Sequence, residues 1–128
     1  MLPLLDWESL VAGEEFGPFA YAVTATAVAT FRRAVGDDQV PQRAPVALLT
    51  FAFLGLIDSK YAPRPGTIHA QQDFTLLGPL QLGANLTVRG VLEGKEVRRR
   101  RRYFTVAASA TDEQGVEVAR SRTVALCP

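Results

Sequence analysis

Three groups of side chains in this 128-residue chain have the chemistry to bind or transform a substrate. They are the adjacent carboxylates Asp37 and Asp38, the sole histidine His69, and five consecutive arginines from Arg98 to Arg102. A carboxylate and an imidazole can pass protons, provided that both come within hydrogen-bond reach of the reacting atom. Guanidinium groups grip anions through charge-assisted hydrogen bonds. Other chemistries lack their parts. There is no glycine-rich phosphate loop, no nucleophile elbow, and with one His and one Cys no metal-ligand cluster, so neither a metal nor a cofactor is expected. Ser59 and Ser109 have no histidine base at a suggestive position.

The elements that must position these groups follow from the patterning. Phe19 to Val23 reads as a short strand, and Thr24 stands where an N-cap belongs, before a helix from Ala25 to Val35 with Val28, Phe31 and Val35 on one face. Gly36 ends that helix, which places Asp37 and Asp38 in the loop after it. Pro45 suits the first turn of a second helix, Pro45 to Ile57, which is apolar on every face and is therefore expected to be enclosed on nearly all sides. Strand-like runs follow over Thr67 to Leu76, Asn85 to Leu92, Glu96 to Ala110 and Val116 to Leu126. Turns separate them at Gly78-Pro79 with Leu82-Gly83, at Glu93-Gly94-Lys95, and at Thr111 to Gly115. Such connections predict antiparallel neighbours. The resulting fold class is α+β, one long buried helix wrapped by a curved antiparallel sheet.

Length and composition bound the rest. A chain of this length, 48% hydrophobic and 21% charged, predicts one globular domain over residues 1–128 with a core of its own. Fourteen basic against 13 acidic residues give a net charge of +1, which removes any whole-chain case for nucleic acid. The lone Cys127 cannot form an internal disulfide, the opening residues lack a basic leader, and the apolar run from Ala44 to Ile57 is too short for a membrane span. A cytoplasmic protein without membrane contact is expected.

The order of these motifs resembles the MaoC-like dehydratase group of hot-dog proteins, most of all its FAS1-type N-terminal dehydratase domains. The residues that carry the resemblance are Tyr21-Ala-Val-Thr24 leading to Phe31-Arg-Arg-Ala-Val-Gly-Asp-Asp38, like the family's strand, helix and VGDD loop. Ala44-Pro45 opens the central helix, and Ile68-His-Ala-Gln-Gln-Asp-Phe74 is similar to an HxxQxF strand. Gly78-Pro79-Leu80 with Leu82-Gly83 is similar to RPLxxGxxL, and Thr111-Asp-Glu-Gln-Gly115 to TDxxG. The resemblance covers nearly the whole chain. It implies a hot-dog fold and a role in interconverting 2-enoyl and (R)-3-hydroxyacyl thioesters of coenzyme A or acyl carrier protein.

The resemblance also implies a site, and this chain departs from it. Catalytic members hold a water between an Asp and a His in a D-x-N-P-x-H pattern, and a backbone N–H at the start of the buried helix polarises the thioester carbonyl. Here Asp37 and Asp38 stand for the acid, but Gln42 and Arg43 follow Pro41 where the His belongs, and the loop to the central helix is short. Pro45 has no N–H, which leaves that of Val46 as the donor to the thioester oxygen. His69 shares a strand face with Gln71, Asp73 and Thr75 by alternation, as a solvent-facing or dimer-seam histidine or as a base relocated toward Asp37 across a subunit boundary.

Alternation within the long fourth run places Arg98, Arg100 and Arg102 with Phe104, and Arg99 and Arg101 with Tyr103. The run reads as a solvated strand end that discourages edge pairing, or as a docking patch, through Arg99 and Arg101, for coenzyme A phosphates or an acidic carrier-protein helix. Nucleic acid has no aromatic platform here. Two functional classes result. One is a non-catalytic, acyl-binding hot-dog subunit completed by a catalytic MaoC-like partner. The other is a homodimeric hydratase or thioesterase using Asp37 or Asp38 as base.

Overall fold

The computed structural model describes residues 1–35, 44 and 46–128. After a 3-10 turn at Trp7–Ser9 come β1 (Glu15–Ala22), α1 (Ala25–Val35), a second 3-10 turn at Val46–Leu48 and α2 (Leu49–Asp58). Four strands complete the chain: β2 (Ile68–Leu76), β3 (Asn85–Arg98), β4 (Arg101–Thr111) and β5 (Glu117–Cys127). The strand order is β1-β3-β4-β5-β2, antiparallel at each pairing.

The α1 boundary agrees with its sequence signal. Thr24 Oγ1 accepts the Ala27 N–H at 3.0 Å, filling one of the donors that a helix start leaves open. The central helix is shorter than its apolar run. Pro45 lies outside the described residues, Val46–Leu48 form a 3-10 turn, and the α-helix proper begins at Leu49. Leu49, Ala52, Phe53, Leu56 and Ile57 are buried at helical spacing. Phe51, expected among the enclosed residues, is 56% exposed, so α2 packs on the sheet with one face and turns another outward. Composition alone could not show this, because an apolar residue on the outer face leaves no mark in the pattern.

Leu56 fixes where α2 sits. A Cβ at Gly17 would stand 2.9 Å from its Cδ1, and one at Gly90 3.0 Å from its Cδ2. The two glycines, on the paired strands β1 and β3, thus leave the room that Leu56 fills.

Three expectations about the sheet need correction. Consecutive β2 and β3 do not pair; β2 joins β5 at the far edge, because the eight residues 77–84 between them are too many for a tight hairpin. Nor does Glu93-Gly94-Lys95 turn the chain. Gly94 marks a register shift within one continuous strand, as a glycine inside a strand often does, and β3 runs on to Arg98. The reversal falls instead on Arg99 and Arg100, with φ of 51° and 66°, the left-handed pair a type I′ turn requires. Non-glycine residues there cost roughly 1–2 kcal/mol each, which is why five arginines read as uninterrupted strand. The last turn is conventional: Asp112 Oδ1 accepts the N–H groups of Gln114 and Val116 at 2.9 and 3.0 Å, and Gly115 takes φ 79°.

Candidate functional site

Between the C-terminal half of α2 and the β2–β5–β4 side of the sheet lies a cavity of about 150 Å³. Leu54, Ile57, Phe104 and Ala125 supply apolar wall, and Asp58, Tyr61, Thr67, His69 and Thr123 polar wall. A volume of that order holds a group of about six carbons.

His69 reaches this cavity because of a strand irregularity. The β2–β5 register shifts between His69 and Gln71, so His69 lies opposite Ala125 while Gln72 and Phe74 lie opposite Thr123 and Ser121. Those β5 residues are buried, and Phe74 packs on Phe53 of α2 with ring centroids 6.0 Å apart. The shift overturns simple alternation: His69 shares the helix-facing side with Gln72 and Phe74, not the outer side with Gln71, Asp73 and Thr75. Its Nε2 lies 3.0 Å from Gln72 Oε1, which also accepts the Thr123 hydroxyl at 2.9 Å. A carboxamide oxygen only accepts, so this contact puts the proton on Nε2. Among the described residues no carboxylate forms an ion pair with His69.

Of the acids nearby, Asp58 lines the same cavity without bonding His69, and Glu14 is engaged elsewhere. Partial burial pushes the Asp58 carboxyl up from its ordinary pKa. Glu14 accepts the Tyr61 hydroxyl at 2.6 Å and pairs with Lys60 at 2.8 Å. Burial opposes its ionisation, but the Lys60 and Tyr61 contacts and the Val11 N–H outweigh this and hold Glu14 below the usual carboxylate range. Tyr61 is pushed up to about 12, first by burial and then by the Glu14 hydrogen bond.

The arginine run forms the tip of the β3–β4 hairpin. Arg98 and Arg101 are a cross-strand pair, and the Arg98 guanidinium lies 4.5 Å from the Tyr103 ring centroid. Arg98, Arg101 and Tyr103 therefore share the outer face, whereas unbroken alternation puts Arg98 and Arg100 with Phe104, and Arg99 with Tyr103. The turn at Arg99-Arg100 breaks that alternation. Arg102 points to the helix side, bonds the Pro128 carbonyl, and meets Glu8 at 3.4 Å. At the hairpin's base Trp7 donates its indole N–H to Tyr103 O at 2.9 Å, with Lys95 Nζ 4.3 Å from its ring.

Asp37 and Asp38, the acids that the resemblance implies, lie outside the described residues. Val46 opens the 3-10 turn before α2 and is half-buried against the core. Sequence reasoning missed Thr67, Gln72 and Thr123 as neighbours of His69. The only signal was Ala70 within the HxxQxF-like strand, and one small residue does not announce a bulge.

No family model matches the chain, and no curated protein matches it. Solved structures do. A C-terminally truncated HadBC complex, a 3R-hydroxyacyl-ACP dehydratase of Mycobacterium tuberculosis, superposes with a TM-score of 0.78 at 18% identity, over 93% of this chain and 98% of that one. The (R)-hydratase of A. caviae involved in PHA biosynthesis gives 0.76 at 18% identity, over 94% and 99%. The ChsH1–ChsH2 complex of Mycobacterium tuberculosis gives 0.69 at 15% identity, over 91% and 96%. The chain has the hot-dog fold, in the form taken by MaoC-like dehydratases and (R)-hydratases. Among the described residues no helix is long and apolar enough to cross a membrane.

Proposed function

We propose that this chain is a non-catalytic, acyl-binding hot-dog subunit that completes a 3-hydroxyacyl dehydratase or enoyl hydratase, the working Asp–His pair coming from a partner of the same fold. The observation that carries this is the employment of its only imidazole. His69 is bound to the Gln72 carboxamide and, among the described residues, to no carboxylate; Asp58 shares its cavity but is not bonded to it, so no assembled Asp–His pair stands here to hold a reacting water. The cavity beside α2 supplies the other half of the reading, an apolar recess sized for part of an acyl chain.

Assembly with a second hot-dog domain fits the exposed surface. Strand β2 ends the sheet with one edge unpaired, and Ile68 and Leu76 on it are 55% and 45% exposed. Phe51 on the outer face of α2 adds further uncovered apolar area.

The test is turnover of crotonyl and longer 2-enoyl thioesters. The pure chain is expected at background rate, with activity appearing on addition of a MaoC-like subunit that carries an intact D-x-N-P-x-H. Robust turnover by the pure chain, lost in His69→Ala, would overturn the proposal and make His69 the base.

A further inference from the structure

We infer that the arginine tip of the β3–β4 hairpin is a phosphate-binding subsite, occupied by the nucleotide end of a coenzyme A thioester; the inference rests on the acyl-binding reading above. Four observations converge. A concavity of about 570 Å³, within the range of small-molecule sites, is lined by Arg98, Arg99, Arg101 and Tyr103. Arg99, Arg100 and Arg101 form no ion pair among the described residues, whereas Arg98 pairs with Glu96 at 3.0 Å and Arg102 with Glu8. Without these five arginines the chain keeps nine basic residues against 13 acidic, so the positive charge is concentrated here on an otherwise acidic protein. Finally, Arg99 and Arg100 hold left-handed backbone that Asn-Gly would adopt more easily, a strain with no evident return in packing at two exposed positions.

Guanidinium forks match phosphate oxygens in pairs, which a solvated lysine-rich tip would not. Exposed arginines around one tyrosine ring offer a compact polyanion several guanidinium contacts at once. The tip is also within reach of the cavity. Phe104 lines the cavity wall, and Arg101 lies three residues earlier on the same strand, about 10 Å by strand rise. Arg101 faces outward and Phe104 inward, so the pantetheine arm must round the open end of the sheet.

Calorimetric titration of the full chain at low salt tests this with octanoyl-coenzyme A, coenzyme A and octanoyl-pantetheine, which lacks the nucleotide. The R99N/R100G double variant keeps the turn with residues suited to it. Octanoyl-coenzyme A should bind at least ten times tighter than octanoyl-pantetheine, and the variant should lose that difference while its unfolding midpoint stays the same or rises. Unchanged octanoyl-coenzyme A affinity in the variant, or no binding by the wild-type chain, overturns the inference. An acidic carrier protein that binds through these arginines where coenzyme A does not also overturns it, and assigns the tip to protein. Equal affinity for coenzyme A and octanoyl-coenzyme A, both lost in the variant, would leave this subsite standing and sink the acyl-binding reading instead.

Discussion

His69 Nε2 lies 3.0 Å from Gln72 Oε1, three residues along an edge strand that alternation would have them leave on opposite faces. The register shift at Ala70 brings them together and turns the imidazole toward the cavity beside α2. An amide can fix the ring's tautomer but cannot stabilise an imidazolium as a carboxylate does, so the contact is a positioning one.

His69→Ala should therefore cost at most about 1 kcal/mol of stability, the worth of one hydrogen bond, and leave background turnover by the isolated chain unchanged. Urea unfolding alongside an enoyl-thioester hydration assay checks both parts. Robust turnover by the wild-type chain that falls a hundredfold or more in the variant would contradict the structural role.

Leu49 is completely buried at the first turn of α2. Leu49→Ala should destabilise the fold by roughly 2 to 5 kcal/mol, through lost transfer energy and the cavity left behind. Phe51→Ala, on the outer face of the same helix, should cost well under half as much in the isolated chain, as denaturant midpoints at equal slope would show.

The Glu14–Tyr61–Lys60 group makes stability depend on pH at both ends. Glu14 is held below its ordinary pKa, so its contribution is present above about 4.5 and is lost as pH falls through the lower folded value. Tyr61 is raised from 10.0 to about 12, so its contribution is intact below pH 10.0 and is lost as pH rises toward 12. Melting temperatures against pH should show both declines. Glu14→Gln should flatten the acid one and Tyr61→Phe the alkaline one.

The uncovered edge of β2 predicts association. Sedimentation at micromolar concentration should give a dimer, and Ile68→Lys with Leu76→Lys should shift it to monomer, since both side chains are exposed on that edge strand. A wild-type monomer would oppose self-association and leave the heteromeric assembly to be sought.

Local signals were the most legible part of the chain. Ala25–Val35 with its Thr24 cap, and the starts of β2 and β5, can be read to within a residue because cap, periodicity and turn residues agree. The errors share a cause. The β2–β5 pairing, the bulge at Ala70 and the arginine reversal are all decided by contacts with distant strands, and pairing partners leave no imprint on a run's own composition. The resemblance located the fold from residue types in order, yet the contact between His69 and Gln72 depends on a one-residue slip that no motif encodes.

Leu56 stands over the space left by Gly17 and Gly90, and that arrangement separates two properties usually tied together in a binding protein. The helix is pegged within the same turn that borders the cavity, but by a side chain that does not line it. Volume can thus be added or removed at Leu54 and Ile57 without shifting the frame, which makes ligand size an adjustable trait in this scaffold: a descendant or a redesign can change what it accommodates by trimming two side chains while its architecture stays put.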